Sequence, residues 1–226
     1  MLFAFAEPQH ARADQRPDTI LRETVEQLLV DLESNRSILI ADKCQLYSLV
    51  KRLVLPQFAV DKLTRLILGV HSKTASPDLR NRFTRAFLDL MIRTYATAMF
   101  EYTGKEAIEY LPFVRDESAR TALVQTRVRV SGQVPVPVDY AFLRTVDGRW
   151  QIYDVRLDGI SLVLSYRRSY DQIIRSKGLE AVLHALATPD TDRCGPLPKL
   201  FALRSGCHQL GRASCRERAQ RSVAAA

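Results

Sequence analysis

No stretch of the 226 residues is apolar for the roughly 18 to 20 positions that a bilayer-crossing helix requires, because Arg, Asp or Glu interrupts every apolar run within about ten positions. The mature chain is therefore expected not to span a membrane. Cysteine is sparse and badly spaced for metal. Cys194, Cys207 and Cys215 crowd the last forty residues with His208 beside the second, yet no two form a CxxC pair and no zinc-ligand pattern emerges. Only Cys44 lies in the body of the chain, too few for an internal disulfide framework, which leaves the redox compartment open. His10, His71, His184 and His208 are scattered. Ser161 follows Gly159-Ile160 without the second glycine of a nucleophile elbow and reads as a helix cap. A convincing pair of titratable groups for acid–base work is also missing, so enzymatic function is not expected.

What is present is the balance of a globular protein: 46% apolar and 26% charged residues, with a mean hydropathy of -0.12. Lys and Arg outnumber Asp and Glu by 33 to 25, for a net charge of +8. Beyond Ala187 stand seven Lys/Arg against three acids, so half of that excess belongs to the tail. The remainder fits contact with anionic headgroups or an acidic partner face better than nucleic acid. At the other end, Met1 to Ala6 is apolar without a basic flank, and small-x-small sites follow at Ala4-Phe5-Ala6 and Ala11-Arg12-Ala13. Residues 1–13 read as the trimmed end of an export signal, or else as a disordered N-terminus.

Apolar positions at Ile20, Leu21, Val25, Leu28, Leu29 and Leu32 predict a helix over Thr19–Leu32, with Asp18 placed to cap it. Helices are also expected over Ser37–Lys51 and Phe58–Gly69, separated at Pro56. Ser76-Pro77-Asp78 starts another that runs to about Tyr102 and turns apolar on nearly every face from Ala86. The period then becomes two. A weak strand at Ala107–Val114 precedes strands at Val124–Val130, Val134–Phe142 and Arg149–Leu157, with Asp147-Gly148 as a hairpin turn. Pro135 and Pro137 confine the start of the third of these to a sheet edge. A long helix from Ser161 to Ser176 and a short one to Leu186 close the folded unit. Helices, meander, helices make an α+β fold. Residues 14–104 and 159–187 are mainly helical and 105–158 form the sheet, while 188–226, broken by prolines and without apolar period, form a disordered extension, native or appended, or a basic recognition tail.

The segment Gly148 to Arg167 carries Trp150-Gln-Ile-Tyr153-Asp-Val155, Gly159-Ile-Ser-Leu-Val163 and Tyr166-Arg167, followed by Tyr170 and Lys177-Gly178-Leu179. With Pro56-Gln57-Phe58, the Ser76-Pro77 helix bearing Arg93-Thr94-Tyr95 and the strand Val134–Tyr140, this resembles the MlaC family, the toluene-tolerance or phospholipid-carrier family, over about Pro17 to Leu186. The resemblance implies a curved antiparallel sheet, NTF2-like and cone-shaped, packed with a helical subdomain. It also implies a periplasmic monomer that shuttles diacyl phospholipid between an outer-membrane lipoprotein complex and an inner-membrane ABC-transporter complex, with lipid as cargo and no cofactor.

Exposing two acyl chains of roughly 16 carbons to water would cost on the order of 25 kcal/mol, at about 0.8 kcal/mol per methylene. A carrier must therefore offer a hydrocarbon-like interior. Candidates to line it are Phe58, Phe87, Met91, Tyr95 and Met99 from helices and Tyr140, Phe142, Val155, Leu157, Leu162 and Tyr166 from the sheet and last long helix. Methionine suits irregular chains, although plain core packing accounts for any one of these residues as well as lipid contact does. Arg144, Arg156 and Arg167 are candidates for headgroup or partner contact, and solvated surface is their other reading. Asp154 would serve an enzyme on the same cone-shaped fold, but an acid on the outer face of a strand is more often solvated or salt-bridged. A protein-binding adaptor is the third class.

Overall fold

The computed structural model describes residues 15–96, 107–114, 116, 118–129 and 134–187. The expectations for residues 1–13, for Met99 and for the tail from Thr188 lie outside these. Pro17 opens the first helix, α1 (Pro17–Ser34), where its missing N–H is not needed. No side chain caps the N-terminus of that helix. Asp18 sits inside the first turn and pairs with Arg16 at 3.0 Å, so its role is to favour the positive end of the helix dipole, not to cap.

The single helix expected over Ser37–Lys51 is two, α2 (Arg36–Ala41) and α3 (Lys43–Leu53). Asp42 divides them: its backbone is extended and its carboxylate accepts the Cys44 N–H at 2.8 Å, which is the work of an N-cap. Cys44, the one cysteine in the body of the chain and expected to be too few for an internal disulfide framework, is disulfide-bonded. A 3₁₀ turn at Leu55–Gln57 then delivers Phe58 in extended conformation beside Ile152, where the Ala59 N–H donates to the Ile152 carbonyl at 2.9 Å. Two further helices follow, α4 (Val60–Leu68) and α5 (Pro77–Ala96). Between them Gly69 adopts φ +56°, and a Cβ there would lie 2.8 Å from the Arg167 guanidinium, so both backbone and space call for glycine.

Five strands form one antiparallel meander in the order β1 (Ala107–Tyr110), β2 (Thr121–Arg129), β3 (Val136–Arg144), β4 (Trp150–Leu157), β5 (Ile160–Ser161). The sheet is curved and unclosed. The register shifts opposite Ala141 and Phe142, which face Asp154 and Ile152 and leave Tyr153 as the extra residue, a bulge of the kind that bends a strand. The prolines do not put β3 at an edge. It is paired on both sides, to β2 and to β4. Pro137 is tolerated because its side of the strand meets the end of β4, where only its carbonyl is used, accepting the Asp158 N–H at 3.0 Å. Pro135 stands before the strand.

The long helix α6 (Leu162–Lys177) starts on two acceptors. Ser161 caps it through the Leu164 N–H at 3.0 Å, and Asp154 accepts the Val163 N–H at 3.2 Å. Of the two expected fates of an outer-face acid, solvated or salt-bridged, Asp154 takes the second: it is buried, with Arg156 at 4.0 Å. The last helix is α7 (Leu179–Leu186). Among the described residues no helix is long and apolar enough to cross a membrane.

Three apolar clusters result. The first half of α1 packs Ile20 and Leu21 onto Val124, Phe142, Trp150 and Ile152 of the sheet. Its second half packs Leu28 and Leu32 against Leu46, Leu49 and Val50 of α3 and Ile92 of α5. The third cluster lies among α4, α5, α6 and α7 and has an aromatic centre, with Phe87 edge-on to Tyr166 at 5.1 Å and Phe83 edge-on to Tyr170 at 5.9 Å. Each such pair contributes about 0.5–1.5 kcal/mol beyond its buried area.

Candidate functional site

Along the inner face of the sheet the rows run Phe142 beside Ala122 and Ile152, Tyr140 beside Val124 and Val155, then Val138 beside Thr126 and Leu157. Strand alternation places all of them on one side. They are nonetheless not buried alike. Phe142 and Ile152 are closed off by α1 at 0% and 3% exposure, whereas Tyr140, Val155 and Leu157 remain half-buried in interior positions of the same strands. These inward positions of β3 and β4 thus keep accessible surface that α1 does not cover.

The helical side mirrors this division. Phe87 and Tyr166 are 2% and 3% exposed within the closed aromatic cluster, while Met91 and Tyr95, further along the same α5, and Leu162, at the start of α6, are half-buried. Phe58 packs against both the helical cluster and the sheet cluster, so it marks their junction. Of the residues singled out from sequence, Phe58, Met91, Tyr95, Tyr140, Val155, Leu157 and Leu162 hold half-buried positions. Phe87, Phe142 and Tyr166 belong to packed clusters.

The three arginines do not gather. Arg144 donates to the Gly148 carbonyl at 3.3 Å and braces its own hairpin. Arg156, on the opposite face of β4 from Val155, lines a shallow concavity of about 340 Å³ with Thr121, Leu123, Ala141 and Tyr153. Arg167 is exposed on α6 and lies against Gly69. Sequence reasoning missed the hydroxyl chemistry of the site. The Tyr95 and Tyr166 hydroxyls are hydrogen-bonded to each other across the α5–α6 contact. Tyr166 and Tyr170 fall at i, i+4, the one spacing that would have signalled two phenols on one buried helix face.

Burial pushes the Tyr140 hydroxyl up to about 12, and desolvation raises those of Tyr95, Tyr166 and Tyr170 as well. The site thus presents neutral donors at any physiological pH. A phenol whose folded-state value is raised contributes stability that is intact below about pH 10, the unfolded value, and lost as pH climbs through the folded one. We expect stability to fall between about pH 10 and 12 by about 1.4 kcal/mol per pH unit on account of Tyr140. Thermal midpoints recorded alongside tyrosinate absorbance check this; tyrosinate appearing well before the midpoint drops would contradict it.

Similarity to known proteins follows the same outline. The chain is 22% identical over 185 residues to the intermembrane phospholipid transport system binding protein MlaC of Haemophilus influenzae, covering 81% of this chain and 86% of that one. It is 26% identical over 167 residues to the toluene tolerance protein ttg2D of Pseudomonas putida, covering 74% and 76%. A solved phospholipid-binding protein from Ralstonia solanacearum, in complex with a phospholipid, superposes with a TM-score of 0.68 at 22% identity, covering 74% of this chain and 92% of that one, and confirms the fold. Since the family model described as MlaC protein matches residues 22–188, which take in α1 after its first turn, the whole sheet and both closing helices, the chain belongs to the MlaC family.

Proposed function

We propose that the chain is a periplasmic phospholipid carrier, its working unit residues 14–187, that moves diacyl phospholipid between an outer-membrane lipoprotein complex and an inner-membrane ABC-transporter complex as a monomer. The observation that supports this reading is a set of half-buried apolar side chains on the sheet and the neighbouring helices. Tyr140, Val155 and Leu157 of the sheet and Met91, Tyr95 and Leu162 of the helices keep accessible surface in inward positions, while α1 closes the other end of the sheet. A space lined this way suits acyl chains, whose transfer from water is favourable in proportion to the area covered. Membership in the MlaC family and the phospholipid named for the relatives support it. Asp154, the carboxylate that an enzyme reading would need, is engaged at the start of α6.

Native mass spectrometry of the intact chain tests the proposal. A mass increment matching diacyl phospholipid, with several headgroups represented, is the expected result, because this set offers many apolar side chains and few committed polar ones. A chain that purifies empty and takes up no lipid from vesicles would overturn it. An empty chain that instead binds a partner protein would favour the adaptor class.

A further inference from the structure

Three tyrosines lie where α5 packs on α6, and apolar packing does not account for their hydroxyls. Tyr166 and Tyr170 stand one helical turn apart on α6, and each is 3% exposed. Tyr95 reaches Tyr166 from near the end of α5, its hydroxyl hydrogen-bonded to that of Tyr166. The hydroxyl of Tyr170 is buried without a protein partner. Phenylalanine would fill the same volume in the aromatic cluster with none of this polar chemistry.

A proton count shows what is left over. Each phenol has one proton to donate. The Tyr95–Tyr166 contact spends one of two, whichever way it runs, and leaves the other for a further acceptor. Tyr170 has spent none. A buried hydroxyl without a partner is costly enough that something normally fills its place in the working state. The occupant must accept hydrogen bonds without needing to donate, and it must be neutral. Leu63, Phe83, Phe87, Val163 and Val182 of the surrounding cluster are apolar and offer a phosphate oxyanion no compensation. An ester carbonyl meets both conditions. Depth agrees as well: Tyr166 is one turn, about 6 Å along the axis, from Leu162, where α6 leaves the sheet. An oxygen held at Tyr166 therefore sits near the start of the helix, with the half-buried Met91 beyond it for the attached chain.

We propose that Tyr95, Tyr166 and Tyr170 form an ester-carbonyl site, which holds the acyl-ester oxygens of the cargo and sets how deep the glycerol backbone enters. This rests on the carrier reading above. It makes the protein selective for the linkage and indifferent to the headgroup.

The test is a competition read by native mass spectrometry. The full chain is offered vesicles holding equal amounts of diacyl and dialkyl phosphatidylethanolamine of the same chain length, which differ only in the carbonyl oxygens. The wild type should carry the ester lipid in about fivefold excess, the value of one net hydrogen bond. Tyr95→Phe and Tyr166→Phe should bring the ratio close to one, and Tyr170→Phe should lower it. Equal loading of both lipids by the wild type, with water meeting the hydroxyls, overturns the site and leaves the carrier reading standing. So does an ester preference that survives all three substitutions. A wild type that loads neither lipid overturns both.

Discussion

Phe87→Ala is expected to remove about 3–5 kcal/mol of stability, the range for emptying a phenylalanine site in a closed core. Phe87 is 2% exposed and held on several sides at once, stacked on Phe83 at 5.8 Å and edge-on to Tyr166 and Tyr170 at 5.1 and 6.3 Å. These neighbours come from two helices that also pack elsewhere, so they have little room to collapse into the void. Natural domains have only about 5–15 kcal/mol to lose, and the variant should therefore be marginal at growth temperature. Denaturant unfolding of wild type and variant, compared at the midpoint, measures the loss. A deficit under about 1 kcal/mol would mean that Phe87 borders open space, as the sequence allowed, and not packed core.

The same residue shows where sequence ceases to inform. Phe87, Met91 and Tyr95 recur at helical spacing, so their sharing one face of α5 was legible. Whether that face is closed or open at each turn depends on what α6 brings opposite it, and that is set by how two helices seventy residues apart in sequence cross. Phe87 meets two tyrosines there, whereas Met91 keeps accessible surface. Local chemistry was easier to read. The period-two strands, the Ser161 cap and the glycine at position 69 appear where their residue types place them.

Asp42 cuts an apolar period that looks continuous from Ser37 to Lys51, because periodicity weighs the hydrophobic positions and overlooks a carboxylate able to restart the helix. Pro137 looks like an edge signal only if its missing N–H is assumed to face a strand. Asp154 alternates correctly to the face opposite Val155, yet the returning α6 covers it and takes its carboxylate as a cap. The readings at Pro137 and Asp154 fall short because each residue is judged by its own strand when another segment supplies its partner.

Met91→Glu is expected to abolish lipid carriage while leaving the fold largely intact. Met91 is half-buried, packed on one side against the helical cluster and accessible on the other. In the empty protein a carboxylate at this position can turn toward the accessible side and stay hydrated, which keeps the stability cost small. With cargo in place the same carboxylate would be pressed against hydrocarbon, and a charge buried without a partner costs several kcal/mol. A penalty of about 4 kcal/mol lowers occupancy by about a thousandfold. Phe87→Glu, one turn earlier in the closed cluster, has no hydrated side to turn to and should fail to fold. Lipid occupancy by native mass spectrometry and the thermal midpoint, measured on both variants, separate the possibilities. If Met91→Glu fails to fold as Phe87→Glu does, Met91 is core and the half-buried row is shorter than drawn. If it folds and still carries lipid, the acyl chains run along a different wall. A folded, lipid-free protein is the result that the half-buried row of side chains predicts.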